Sequence, residues 1–280
     1  MPFKRTSLAL TLCWLLAAAP AAAVDRLYDL NRGVTVTLEE ALPQLLSKRL
    51  VVVGEQHSDP LHHEMQRKVI AALDAAGVPV AVGLEMFRRE SQADLDGWVA
   101  GEISPTDFEK AYYRNWNYPW AAYRTVFDYA REHGLPLVGL NVAADITRQV
   151  ARGGFQSLSA AQRGQLPSAV TCEVDAAYMA YIRQAFGAHA HGRMDFTNFC
   201  EAQLVWDKSM ALHAIEYLQG RPDARMVILT GIGHAWKRGI PAQVEAYGGL
   251  PAVVILPEVP GNIAPERTDA AVADFIFLMP

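Results

Sequence analysis

The chain has 280 residues, 51% of them hydrophobic and 20% charged, which is enough apolar material for one packed domain and too much for a disordered chain. It carries no 20–50-residue repeat and no low-complexity tract, so a solenoid or propeller is excluded. A formal net charge of −5 gives no electrostatic reason to bind nucleic acid or anionic lipid.

The first 23 residues read as a signal peptide. Lys4 and Arg5 form a positive start, residues 8–16 an apolar segment too short to span a bilayer, and Ala21-Ala22-Ala23 a small-residue cleavage site. The mature chain is therefore expected to begin at Val24, to be exported to the periplasm, and to form a single domain over 24–280 without stable membrane insertion. Cys13 lies in Leu12-Cys13-Trp14, without the small residues that precede a lipidated cysteine, so a soluble protein is expected rather than a lipoprotein. Two cysteines then remain, Cys172 and Cys200, in an oxidising compartment that favours a disulfide between them.

Thr37-Leu38-Glu39-Glu40 has capping-box spacing and predicts a helix through about Leu46, with a first strand following at Leu50-Val51-Val52-Val53. A helix over 62–75, a strand over 80–84, helices over 92–99 and 106–112, a strand over 135–140 and a helix over 144–152 come next. Each strand is nearly all apolar, as when helices cover both faces of a sheet. The alternation predicts an α/β fold with a mostly parallel central sheet covered by helices. Residues 155–219 break the rhythm, with two long helical patterns over 174–186 and 196–218 and no strand between them. They read as a helical insertion, suited to a lid or a partner surface. A strand over 226–229, a helix over 242–247 and strands over 252–256 and 275–278 complete the chain, the last expected at an edge.

Three apolar runs end in ionisable groups: Val53 leads into Gly54-Glu55-Gln56-His57, Leu84 into Glu85, and Thr230 into Gly231-Ile232-Gly233-His234. In a parallel sheet these share the carboxyl edge, where open α/β folds bind ligands. Glu55 and His57 suit acid–base work or metal ligation, or simply a polar turn before a helix in which Ser58 or Asp59 is the N-cap and Pro60 the first residue. Adjacent His62 and His63 cannot share a helix face; either can face the site from the first helical turn, and at least one of them is expected in solvent. Glu85, closing so apolar a run, needs a partner when buried: His57, His234 or a cation. Asn141 falls on the same edge and can orient a ligand.

The stretch 111–123 is dense in aromatic rings, which suit a planar ligand such as a porphyrin, and tyrosine is one of the axial ligands haem iron takes. Tyr113, Tyr118 and Tyr123 are the candidates. The competing reading is a helix face, since Trp120, Tyr123, Phe127 and Ala130 recur at helical spacing. Phe199, Ala202, Val205, Trp206 and Met210 likewise form a core stripe, while Gln203 and Asp207 share a face that can look toward the site. His189 and His191 precede that helix in a loop and are candidate metal or haem contacts.

GEQH, the strand-ending LEMF, YPWAAY, AQLVWDKSMA, and GIGH followed by Gly239-Ile240-Pro241 together resemble the ChaN family of haem-binding, iron-regulated proteins, in order and over most of the mature chain. The resemblance implies haem as ligand, a non-catalytic role in haem or iron acquisition, a homodimer with a tyrosine ligand to the iron, and a haem-uptake receptor or transporter as partner. It matches Glu55, His57, Glu85, Gly231 and His234 to the site of the wider superfamily, which includes Tiki-type proteases and erythromycin esterase-like hydrolases. The alternative is therefore a Glu/His hydrolase or metal-dependent peptidase in which Glu55, His57, Glu85 and His234 hold a divalent metal. Lys237 and Arg238, just past His234, are candidates for pairing with haem propionates.

Overall fold

The computed structural model describes residues 25–189 and 195–279; the signal-peptide segment and His191 lie outside them, as does the side chain of His189. The described chain opens with a hairpin, β1 (Arg26–Asp29) and β2 (Val34–Thr37), paired antiparallel. Thr37 then caps α1 (Leu38–Leu46): its hydroxyl accepts from Glu40 N while the Glu40 carboxylate accepts from Thr37 N, the capping box that the sequence predicts. In chain order follow β3 (Leu50–Glu55), α2 (Pro60–Ala75), β4 (Val80–Arg88), α3 (Gln92–Val99), α4 (Pro105–Asn115), α5 (Trp120–Glu132), β5 (Leu137–Asn141), α6 (Ala144–Gly153) and α7 (Ala160–Arg163). The chain ends with α8 (Ala176–His189), α9 (Phe196–Leu218), β6 (Arg225–Gly231), α10 (Ile232–Ala235), α11 (Ile240–Gly248), β7 (Ala252–Pro257) and β8 (Phe275–Phe277).

The eight strands form one sheet in the order β2-β1-β8-β7-β3-β6-β4-β5, parallel from β8 to β5 and antiparallel only where β1 meets β2 and β8. The fold is α/β, as the alternating pattern predicts. β8 is not at an edge, because the N-terminal hairpin adds two strands beyond it. Period-2 alternation splits each apolar strand between two cores. Val51, Val53, Val82, Leu84, Val227 and Leu229 face the helices that follow β3 and β4. Leu50, Val52, Ala81, Met226, Ile228 and Val254 face α9 and α11. Each fully buried Val or Leu here contributes on the order of 1.5–3 kcal/mol, which is why these runs carry no polar residue until the rim.

Helix α9 is the crossover between β5 and β6, lying on β5 between α6 and α11. α8 packs on α9 over a satellite cluster of Tyr178, Tyr181, Ile182, Cys200 and Leu204. The disulfide expected in this region is not formed. Both thiols are free; Cys172 Sγ donates to the Glu201 carbonyl at 3.6 Å while Cys200 is enclosed by the satellite cluster. Burial pushes Cys172 up to about 12 and Cys200 to about 11, which leaves little thiolate to start an oxidation. Among the described residues, no helix is long and apolar enough to cross a membrane.

Candidate functional site

The crossover through α9 inserts β6 between β3 and β4, and this brings three strand ends together. Glu55 pairs in register with Gly231, and the pairing of Leu84 with Leu229 sets Glu85 level with Thr230. Glu55 and Glu85 are each 2% exposed, so both carboxylates need partners.

Glu55 finds three. Its Oε1 accepts from the Tyr123 hydroxyl and lies 2.7 Å from His57 Nδ1. Its Oε2 faces His63 Nε2 at 3.2 Å, outside hydrogen-bonding geometry, while His63 Nδ1 donates to the Ala122 carbonyl at 3.0 Å and the ring stacks on Tyr123. Burial alone would raise the Glu55 carboxyl, but the His57 and His63 imidazoles outweigh it and hold the group at about 2. Burial would lower His57; its bond to Glu55 and the nearby Glu85 carboxylate reverse that and raise it.

Glu85 is held differently. Oε2 accepts from Thr230 Oγ1 at 2.6 Å and from Gly231 N at 2.7 Å, and Oε1 lies 3.9 Å from His234 Nε2. On its other side His234 Nδ1 meets Asp207 Oδ1 at 2.6 Å, and Asp207 Oδ2 accepts from the Tyr178 hydroxyl at 2.7 Å. Burial pushes His234 down, yet Asp207 and Glu85 lift it to about 9. Burial also pushes the Asp207 carboxyl up against the pull of His234 and Tyr178. Because both of its oxygens accept hydrogen bonds, the ionised carboxylate is the form that fits.

Glu55, His57, Glu85 and His234 thus share one rim. Gly231 lets them do so, since a Cβ there would stand 3.0–3.1 Å from the His57 ring. Its φ of −58° and ψ of 147° suit any residue, so Gly231→Ala probes that contact without backbone strain. The variant is expected to fold, to lose about 1 kcal/mol to overpacking, and to shift the His57 ring resonances in a histidine-labelled NMR spectrum. Unmoved His57 signals would show that the ring does not lie over the end of β6.

Other candidates are placed differently from expectation. Asn141 donates to the Glu85 carbonyl at 2.7 Å and accepts from Val142 N and the Trp206 indole, so its amide fixes the backbone beside Glu85 and keeps one N–H uncommitted. Tyr123 is fully buried with its hydroxyl committed to Glu55, and burial with that carboxylate raises it far above the usual phenol. The helix-face reading of Trp120, Tyr123, Phe127 and Ala130 describes all four, and an axial-ligand role for Tyr123 does not fit. Tyr113 is 48% exposed, its hydroxyl accepting from Trp120 N at 3.0 Å. Tyr118 is half-buried, its ring 4.9 Å from His57 and 5.6 Å from Trp116. Lys237 is committed to Asp274 at 2.7 Å and to the Ala270 carbonyl, so it is not a free cation for a propionate. Arg238 is exposed beside a cavity of about 270 Å³ that Tyr181 and Trp236 also line.

Neither His62 nor His63 is in solvent, because α2 is covered by α5 and both rings find partners: His62 Nδ1 accepts from Gln56 N at 2.9 Å. Of the two, His63 is the one that faces the site, as its place in the first helical turn allows, and Tyr178 is the partner that sequence patterns miss. Asp207 had a signal, its place with Gln203 on the face of the helix that can look toward the site. Among the described residues no group of three or more His, Cys, Asp or Glu is arranged to hold a metal.

A family model described as "Haem-binding uptake, Tiki superfamily, ChaN" matches residues 41–244. No curated protein matches the chain. Among solved structures, a ChaN of Campylobacter jejuni described with cofacial haem superposes with a TM-score of 0.69 at 17% identity, over 91% of this chain and 96% of that one. The erythromycin esterase EreC in its open conformation gives 0.49 at 14% identity, over 84% and 77%. With the match spanning α1 through α11, the chain belongs to the ChaN family of haem-binding uptake proteins in the Tiki superfamily.

Proposed function

We propose that the chain is an exported haem-binding protein of haem or iron acquisition, a non-catalytic carrier working as a dimer and delivering to a haem-uptake receptor or transporter. Its family supports haem as the ligand. The observation that carries the site is the state of the three tyrosines: Tyr123 is sealed in the core and Tyr113 accepts a backbone bond, while the half-buried Tyr118 hydroxyl has no partner among the described residues. The surroundings fit a porphyrin. The Trp116 and Tyr118 rings flank His57, and Arg238, exposed at a cavity that Tyr181 and Trp236 also line, forms no ion pair among the described residues. A phenolate is a hard anionic ligand suited to ferric iron, and a guanidinium pairs two-fold with a carboxylate such as a propionate.

Haem titration followed by visible absorbance is the test. Wild type is expected to develop a tyrosinate-type spectrum, Tyr118→Phe to lose it, and Tyr123→Phe to keep it. A spectrum unchanged in Tyr118→Phe would assign the iron to another residue; no haem binding by wild type would sink the proposal.

The paired His234 and Asp207 beside Glu85 favour a second reading, a Glu/His hydrolase, because an oriented imidazole next to a fixed carboxylate can move protons. On that reading His234→Ala abolishes turnover of an ester or peptide and leaves haem binding intact.

A further inference from the structure

Half of the rim depends on a residue that no strand-end motif marks. Asp207 lies mid-way along α9 and is 1% exposed, with one carboxylate oxygen on His234 Nδ1 and the other on the Tyr178 hydroxyl. We propose that Asp207 is the positioning residue of His234 and that helix α8, docked on it through Tyr178, keeps His234 aimed at Glu85.

The aim follows from what is already committed. With Nδ1 on Asp207, His234 has one nitrogen left, and Nε2 points toward Glu85 Oε1 at 3.9 Å. The Trp206 ring stands edge-on to the imidazole, 5.2 Å between centroids, and limits its rotation. Glu85 cannot swing to close the gap, because Thr230 and Gly231 hold its other oxygen. A donor and an acceptor 3.9 Å apart are too distant to bond each other directly, yet one polar ligand atom beside them can reach both. The 3.9 Å spacing holds only while His234 keeps this orientation.

Tyr178 ties that orientation to α8. Unlike the helices that lie on the sheet, α8 is seated on α9. Its phenols reach the rim at two points, Tyr178 onto Asp207 and Tyr181 onto the Gly233 carbonyl, and Arg183 stacks over Phe196 at 4.3 Å. Lifting α8 takes the donor from Asp207 Oδ2, frees that carboxylate to turn from His234, and uncovers Cys200 beneath. One carboxylate therefore links the docking of a helix to the aim of a ring. The link holds whichever ligand the rim takes.

Two readouts on the full mature chain, kept reduced, test it. In a histidine-labelled NMR spectrum, wild type should show a strongly downfield Nδ1 proton for His234, the signature of a carboxylate-bound imidazole. Asp207→Asn should lose it, and Asp207→Glu, which keeps the charge, should recover part of it; a merely space-filling role would not separate the two. The second readout is iodoacetamide labelling of Cys200 relative to Cys172, followed by mass spectrometry. Tyr178→Phe keeps the ring and the fold, so it stands even if the Asp207 variants fail to fold. It is expected to raise Cys200 labelling about tenfold, as loss of one hydrogen bond to a charged group implies, and to weaken the His234 signal while Cys172 is unchanged. The proposal is overturned if the downfield proton survives Asp207→Asn, if Cys200 labelling rises with the His234 signal intact, or if both thiols accelerate together.

Discussion

Thermal unfolding followed across pH is expected to give greatest stability between about 4.5 and 6.5, with a fall on each side. Glu55 sets the acid limb. Its folded value of about 2 lies below the ordinary 4.5, so its contribution is complete above 4.5 and is lost as pH falls toward 2. His234 sets the alkaline limb. Its folded value of about 9 lies above the ordinary 6.5, so its contribution is complete below 6.5 and is lost as pH rises toward 9. At about 1.4 kcal/mol per pH unit between the two values, each group contributes on the order of 3 kcal/mol. His57, also raised, adds to the alkaline loss. The assignment is checked by variants: His234→Gln should flatten the alkaline limb and leave the acid limb as it is. A melting temperature level from mildly acid to alkaline pH would mean that the His234 imidazolium is not held by Asp207 and Glu85.

Glu55→Leu should be among the most damaging single substitutions in the chain. Leucine removes the carboxylate that accepts from Tyr123 and faces both His57 and His63, and leaves those groups facing an apolar side chain in a fully buried place. Breaking one side of a buried charged network costs about 3–5 kcal/mol. Glu55→Gln, which keeps an acceptor for the phenol, should cost less, about 1–3 kcal/mol. Urea unfolding with matched slopes measures both. A Glu55→Leu loss below about 1 kcal/mol would show that His57, His63 and Tyr123 are satisfied without the carboxylate.

The strands at the centre of the sheet are legible in the sequence because burial on both faces demands unbroken apolar runs, as at Leu50-Val51-Val52-Val53 and Met226-Val227-Ile228-Leu229. The same logic exposes the rim: an apolar run that ends in Glu55 or Glu85 has reached the sheet edge. β1 and β2 are hidden for the opposite reason, since four-residue strands near an exposed edge need no strong pattern; β2 alternates valine with threonine and has no buried residue. The partners of the rim are harder still. Whether His63 faces solvent or Glu55 depends on how α2 is rotated under α5, and whether Tyr123 is a ligand or a clamp depends on the same packing. Residue spacing fixes which side chains share a face of a helix but not what that face meets. The spacing puts Asp207 on a face with Gln203, and only the seating of α9 makes His234 and Tyr178 its partners.

The strand order has a consequence for how the molecule comes into being. β3, which carries Glu55, is flanked by β6 and β7, and both are encoded after residue 224. During synthesis from the N-terminus, this fully buried strand therefore waits for nearly the whole chain before either neighbour arrives. Such long-range parallel pairing is slow, and its unpaired edge is open to other chains meanwhile. A C-terminal truncation before β6 would strip β3 of both neighbours, so its product is expected to be an aggregating chain rather than a smaller folded one.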